Sequence, residues 1–397
     1  MAVENPLEYP DGTPADQFDR FIGRRFGMVV MQPTTQCPWE CDYCYLSTRH
    51  QRLEMTPAIA EAVARSIRLQ GVPGDGAAPG PGGVVDIVRH GGEPLALGPE
   101  RFARLLAPFE ALLAEGRIRH HVQTSGSVIT PRWCELFTRH RFAVGVSVDG
   151  PDWADARRHD RAGRPTHART MRGIRRLRDS GIPFTAIAVV TPESVDRADE
   201  IAVFFEELGA YSVGFNIEEY EGANTERPAI GREQVARFWR TLFERRSSGS
   251  TLRIREVDHI LSYLRHTREG AARAPGLIDP IPTVAWNGDV VLLSPELAGT
   301  HAPGYDDFVV GNVTREALPE ILRNAHVPRY VSEFVQSLAA CAGTCEFYSF
   351  CGGAQAGNRY FEHGTFTRSE TAYCINTKQT LVTALHEFTA EKTEGRT

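Results

Sequence analysis

GMVVMQPTTQCPWECDYCYLSTRH (27–50) joins a short apolar run to three closely spaced cysteines. GMVVMQ (27–32) reads as a buried strand, because its apolar residues run without polar alternation. Cys37, Cys41 and Cys44 follow at C-x3-C-x2-C spacing. Downstream, TPAIAEAVARSIRLQ (56–70) carries apolar residues at helical spacing behind a Thr-Pro start. The same rhythm then repeats. VVDIVRH (84–90) predicts a strand and PERFARLLAPFEALLAE (99–115) one helix; IRHHVQ (118–123) precedes a helix near 131–139 and AVGVSVD (143–149) one near 167–180. FTAIAVV (184–190) precedes a helix near 197–208, and YSVGFNI (211–217) precedes helices near 231–246 and 254–268.

Six strand-then-helix units imply parallel strands joined by right-handed crossovers. That pattern fits either a doubly wound sheet or an open barrel. A barrel presents its active-site loops at the C-terminal ends of its strands, where the first cysteine loop falls. The reading adopted is an α/β partial (β/α)6 TIM-like barrel over 27–270. GVPGDGAAPGPGG (71–83) reads as a Gly/Pro-rich loop inside it, since the rhythm continues beyond. Residues 1–26 form a polar N-terminal leader segment. From 271 to 397 the rhythm gives way to short β-like runs, turns and a second cysteine group, ending in an amphipathic helix near 376–391.

Composition narrows the function. The 397 residues are 42% hydrophobic and 24% charged, as in an ordinary globular protein, and no apolar run approaches a membrane span. A net charge of −6 argues against a nucleic-acid partner, which needs a basic surface excess. The acidic N-terminus lacks the regions of a signal peptide, so a cytoplasmic location is expected. Eight cysteines in a reducing compartment are ligands or free thiols before they are disulfides.

Three thiolates this close can wrap one iron–sulfur cubane and leave its fourth iron free for a small molecule. A zinc knuckle is the competing reading, although no fourth ligand lies at a standard spacing. The ends of the following strands carry further signals. HGGEP (90–94) follows the second strand, QTSG (123–126) the third and SVDG (147–150) the fourth; DARRHDRAGRPTH (155–167) comes next. Glycine permits close backbone approach, and Glu93 sets a carboxylate beside that turn.

Together these segments resemble the radical S-adenosylmethionine (SAM) superfamily, with Tyr43 in the aromatic position of its cysteine motif. The resemblance implies that Cys37, Cys41 and Cys44 hold a SAM-binding [4Fe–4S] cluster, and that Gly91, Gly92 and Glu93 hold the methionine ammonium. It places Gln123, Ser125, Ser147 and Asp149 along the SAM site. Arg158 would pair with the SAM carboxylate in a forked geometry, while Arg157, Arg161 and Arg164 compete as members of a solvated face. Cleaving SAM would give methionine and a 5′-deoxyadenosyl radical that takes hydrogen from an unactivated carbon, with an external electron donor such as ferredoxin or flavodoxin.

CAGTCEFYSFCGG (341–353) and Cys374 resemble the SPASM domain of the same superfamily. Cys341, Cys345, Cys351 and Cys374 match the ligands of its outer auxiliary cluster. The inner ligands are missing: TVAWNGDVVLLSPELAG (283–299) offers no thiolate, and Gln355 stands where another would follow Cys351. Two [4Fe–4S] clusters are therefore expected, with structural zinc as the alternative at the second site. Cys134, amid Trp133, Leu136 and Phe137, reads as a buried thiol.

FNIEEYEG (215–222), SPELAG (294–299), CGGAQAGNRYFEHGTF (351–366) and SETAYC (369–374) are similar to peptide maturases of this group, above all those forming cyclophanes. The implied reaction joins an aromatic ring carbon to the β-carbon of a nearby residue in a ribosomal precursor peptide, with the auxiliary cluster accepting the electron. Glu296, Asp289, Glu218 and Glu219 are candidate bases for the ring proton. Thioether formation, epimerisation and formylglycine formation on a sulfatase are the alternatives.

Overall fold

In the computed structural model, residues 14–71, 83–224, 227, 229–269 and 275–394 are described. Most of the Gly/Pro-rich loop, residues 1–13 of the leader segment and the boundary expected at 270/271 lie outside them.

Six parallel strands carry the chain: β1 (Met28–Met31), β2 (Val85–Arg89), β3 (Ile118–Thr124), β4 (Ala143–Ser147), β5 (Phe184–Val190) and β6 (Val213–Ile217). They lie side by side in chain order, each parallel to the next. A doubly wound sheet reverses its order at a switch point; this one does not, and it is a partial β/α barrel. At the β1 edge the sheet continues through β7 (Thr283–Val284), parallel to β1, and then β8 (Asp289–Val291) and β9 (Gly311–Asn312), both antiparallel additions. Among the described residues the mixed sheet has nine strands.

Helices cover one face through apolar stripes. Phe102 meets Trp133 edge-on at 5.1 Å between the helices Pro99–Leu106 and Pro131–Arg139, and Phe215 of β6 meets Phe238 at 5.3 Å. Each buried aromatic contributes about 1.5–3 kcal/mol relative to exposure. The single helix expected over 99–115 is divided into Pro99–Leu106 and Glu110–Ala114 by a 3-10 turn at Ala107–Phe109. Pro108 explains the break, since it lacks an N–H and clashes with the preceding turn.

A second packed region follows the barrel. Phe308 meets Tyr330, Tyr360 and Phe366 edge-on at 4.8–5.7 Å, and Tyr360 stacks on Phe366 at 5.6 Å, bracing the helices Arg329–Thr344 and Ala356–His363. The last helix, Thr380–Glu394, starts later than expected because Cys374–Gln379 forms a wider π turn. It lies along Arg232–Ser247, with Phe243 stacked on Phe388 at 6.1 Å. At the other end of the chain, Ala15–Phe21 is helical and buries Phe18 completely. Among the described residues, no helix is long and apolar enough to cross a membrane.

Candidate functional site

The C-terminal ends of the parallel strands surround a cavity of about 380 Å³. Cys37, Cys41 and Cys44 line it, as do Tyr43, Gly91, Gly92, Glu93, Gln123, Ser125, Ser147, Asp149 and Arg158. Residues spread over 121 positions of sequence thus converge because successive strands end at one mouth. Two glycines hold that mouth together. Gly92 adopts φ +56°, and a Cβ there would stand 2.6 Å from the Thr34 carbonyl oxygen and 2.8 Å from that of Gln36. Gly222 (φ +55°) packs as tightly on the Tyr45 carbonyl, tying the loop after β6 to the cysteine loop.

Glu93 is 1% exposed and its carboxylate is saturated. One oxygen accepts from the Leu95 N–H at 3.1 Å and the Thr124 hydroxyl at 2.8 Å; the other accepts from the N–H and hydroxyl of Ser125. Its position is thereby fixed. Gln123 donates to the Ser147 hydroxyl at 2.8 Å. Arg158 is buried; it donates to the Tyr43 hydroxyl at 3.0 Å and lies over the Trp39 ring at 4.9 Å. Tyr43 in turn donates to Asp149. Burial pushes the Asp149 carboxyl up to about 7, against the pull of Arg158.

The neighbouring arginines turn elsewhere. Arg157 bonds Asp42 and Glu193, Arg161 the carbonyls of Cys37 and Arg49, and Arg164 the carboxylate of Asp160. Only backbone register separates Arg157 from Arg158, and register was not legible in the sequence.

Among the described residues no three His, Cys, Asp or Glu side chains form a ready-made cage for a single ion, so fit rests on donor chemistry. Burial first, and Glu93 next, push the Cys37 thiol up; burial pushes Cys41 up to about 12, opposed by Arg158. Thiols that are this costly to ionise become thiolates when a metal centre supplies the charge. Three of them on one cavity wall, beside the Gly92 cradle, suit such a centre.

The second cysteine group lies beyond β6. Cys341 lies in the last turn of the helix Arg329–Thr344, Cys345 caps it, Cys351 closes the short helix Tyr348–Cys351, and Cys374 opens the π turn. Burial, then nearby Cys351, pushes Cys374 up to about 11. Arg359 is fully buried beside them. It donates to the Gly353 carbonyl at 2.5 Å, approaches the Cys341 sulfur at 3.8 Å, and leaves Nε and Nη1 without partners among the described residues. A buried guanidinium on Cys341, with Cys351 and Cys374 nearby, fits an anionic metal–thiolate centre. Cys134 sits apart, buried in its helix.

The proposed bases separate. Asp289 is a correction: it bonds the side chains of Asn287 and Asn312 at the β7–β8 hairpin and does not line the cavity. The Asn287–Gly288 turn orients it toward β9 instead, with Gly288 at φ +88°. Glu218 lines the cavity but is ion-paired with Arg227. Glu219 accepts from Asn358, and Glu296 accepts from Ser294 at 2.7 Å. Both line the cavity and also a second chamber of about 350 Å³.

Several lining residues were not foreseen. Tyr45 and His90 meet at 2.8 Å, Ile187 and Val189 of β5 supply an apolar wall, and Glu221 reaches both cavities. Position at strand ends was the available signal for His90 and Glu221; nothing in the sequence singled out Tyr45.

An α/β partial barrel whose strand ends gather three thiols, a saturated glutamate and a buried arginine defines a class of cofactor-dependent enzymes. The radical SAM superfamily profile matches residues 31–205. An uncharacterized protein of Synechocystis, sll1766, is 32% identical across 87% of this chain and 88% of its own length. The chain belongs to the radical SAM superfamily, whose cofactors are SAM and a [4Fe–4S] cluster. A serine-type anaerobic sulfatase-maturating enzyme of Bacteroides thetaiotaomicron is 23% identical over 84% of this chain and 83% of its own. Two solved structures share the fold. One is anSMEcpe with bound AdoMet and the Cp18Cys peptide (TM-score 0.70, 18% identity, 92% of this chain and 99% of that one); the other is Streptococcus suis SuiB bound to S-adenosylmethionine (0.61, 16%, 85% and 74%).

Proposed function

We propose that this enzyme installs a carbon–carbon crosslink of cyclophane type in a ribosomal precursor peptide. Cys37, Cys41 and Cys44 would hold the SAM-binding cluster, Glu93 with Gly91 and Gly92 the SAM ammonium, and Arg158 its carboxylate. Gln123, Ser125, Ser147 and Asp149 complete that wall, with Tyr43 bracing Arg158. Bound there, SAM and the cluster supply a 5′-deoxyadenosyl radical for hydrogen abstraction. Ile187 and Val189 shield that space from water and from other hydrogen donors.

The observation that carries the peptide reading is the second chamber opening off the SAM cavity, with Gln355 exposed at its rim. The two thiolate-free segments, around Glu296 and at Gln355, meet on its wall. Space that the resemblance assigns to an inner cluster is thereby left to substrate. Glu296 and Glu219, which border both cavities, are placed to accept a ring proton. Glu218 is held by Arg227, and Asp289 is too far round the hairpin to serve. Cys341, Cys345, Cys351 and Cys374 would hold one auxiliary [4Fe–4S] cluster beyond this chamber, and ferredoxin or flavodoxin would donate the initiating electron.

Formylglycine formation is the second reading, favoured by the likeness to sulfatase-maturating enzymes over most of the chain. Both products from serine-containing peptides lose two hydrogens, so mass alone does not separate them. The test is reconstituted enzyme, SAM, reductant and the precursor peptide encoded nearest the gene, followed by fragmentation and hydrazide labelling. A crosslink suppresses fragments between the joined residues and leaves hydrazide unreacted; a hydrazide-reactive aldehyde overturns the crosslink reading, and an unchanged mass points to epimerisation.

A further inference from the structure

The chamber beside the SAM cavity is strongly acidic at its inner end. Glu219, Glu221 and Glu296 all border it. Burial pushes Glu219 up to about 8 and Glu221 well above the carboxylate range, and for Glu221 every neighbouring charge adds to the shift: Glu296, Glu219 and Glu362. The resident cations offset this end only in part. Arg255 is committed to Glu256 and Asn216, and Lys378, over the Tyr373 ring at 5.5 Å, pulls Glu219 down but is not among the charges that act on Glu221. A second observation points to a missing occupant. Thr377 lines the same chamber, is only 5% exposed, and its buried hydroxyl has no partner among the described residues.

We propose that this chamber receives a lysine or arginine side chain of the substrate, so that the enzyme selects peptides with a basic residue close to the one modified. The proposal rests on the peptide-modifying reading above. Burying carboxylates without a cation is costly, whereas an entering guanidinium or ammonium would ionise them and leave a donor for Thr377. Because Glu219, Glu221 and Glu296 also border the SAM cavity, the basic residue must be a near neighbour in the peptide. Gln355, exposed at the rim, marks where the chain enters.

The test has two arms. In the first, calorimetry on the reconstituted holoenzyme with SAM compares N-acetyl-arginine amide with its uncharged isostere, N-acetyl-citrulline amide. The arginine compound is expected to bind at least roughly tenfold more tightly, and Glu221→Gln, checked for normal iron content and circular dichroism, should abolish the preference. Equal affinities, or a preference that survives both Glu221→Gln and Glu296→Gln, overturn the proposal. In the second arm a displayed library of random peptides is treated with enzyme and SAM. Modified peptides enriched in Lys or Arg beside the modified residue support it, and modified peptides without that enrichment overturn it. If no peptide is modified, the peptide-modifying reading fails, and the binding arm still decides the cation subsite.

Discussion

The guanidinium of Arg158 donates to the hydroxyl of Tyr43 at 3.0 Å, linking the arginine-rich loop to the cysteine loop across 115 residues of sequence. Tyr43 passes the contact on to Asp149 at the end of β4. Arg158→Ala is expected to weaken SAM binding by tenfold or more, on the order of 1.5–3 kcal/mol for a charged hydrogen bond. Arg158→Lys should recover only part, because an ammonium cannot form the fork. Equilibrium dialysis with SAM measures both. Arg157→Ala is the control, and an equal loss there would reassign the contact.

Gly92 supports the cysteine loop from beneath. Gly92→Ala would force a Cβ to 2.6 Å from the Thr34 carbonyl in a left-handed conformation, and the fold should lose about 1–3 kcal/mol. Chemical denaturation of the apoprotein reads this directly. Wild-type stability in the variant would show that the loop yields freely.

Glu219 sets a pH dependence. Its folded value of about 8 lies above the ordinary 4.5, so the native state binds the proton more tightly than the unfolded chain. That contribution is fully present below about 4.5 and is lost as pH rises toward 8. Apoprotein melting temperature should therefore fall between pH 5 and 8, and fall less steeply in Glu219→Gln. Parallel slopes for the two proteins would refute the assignment.

The two cysteine groups are separable by metal content. Reconstituted enzyme should carry about eight irons per chain, and Cys345→Ala about four, while Cys134→Ala keeps the full complement. Zinc in place of the second four would identify a structural site at Cys341, Cys345, Cys351 and Cys374.

Arg359 is a buried cation with two nitrogens that have no partner among the described residues. Arg359→Met should raise apoprotein stability, since an uncompensated charge leaves the interior. In the loaded enzyme the same change removes positive charge near the Cys341 sulfur, and the auxiliary potential should move negative by an amount on the order of tens of millivolts. Redox titration followed by electron paramagnetic resonance decides this.

Much of the fold was legible because its signals are local. Apolar runs and helical periodicity located all six parallel strands, and the proposed SAM contacts from Gly91 to Asp149 lie at or just beyond a strand end, whereas Arg158 follows a 3-10 turn eleven residues past β4. The failures have equally local causes. Pro108 divided a helix whose periodicity reads straight through it, and the Asn287–Gly288 turn swung Asp289 toward Asn312 rather than the cavity. Choosing Arg158 over Arg157 depended on backbone register, which side-chain chemistry does not encode.

By itself, the sequence determined the class of chemistry: C-x3-C-x2-C after one strand left iron and zinc open, and GGEP, QTSG and SVDG at the following strand ends turned it into the radical SAM resemblance that the superfamily profile bears out. Residue type and short spacing, repeated at successive strand ends, suffice for that. Only the tertiary structure decided what stands beside it. Glu221 and Glu296 are 75 residues apart, and Thr377 a further 81 from Glu296, yet all three border one chamber. Folding alone brings them together, because the loop after β6, the segment following β8 and the π turn before the last helix meet where the partial barrel leaves its sheet open.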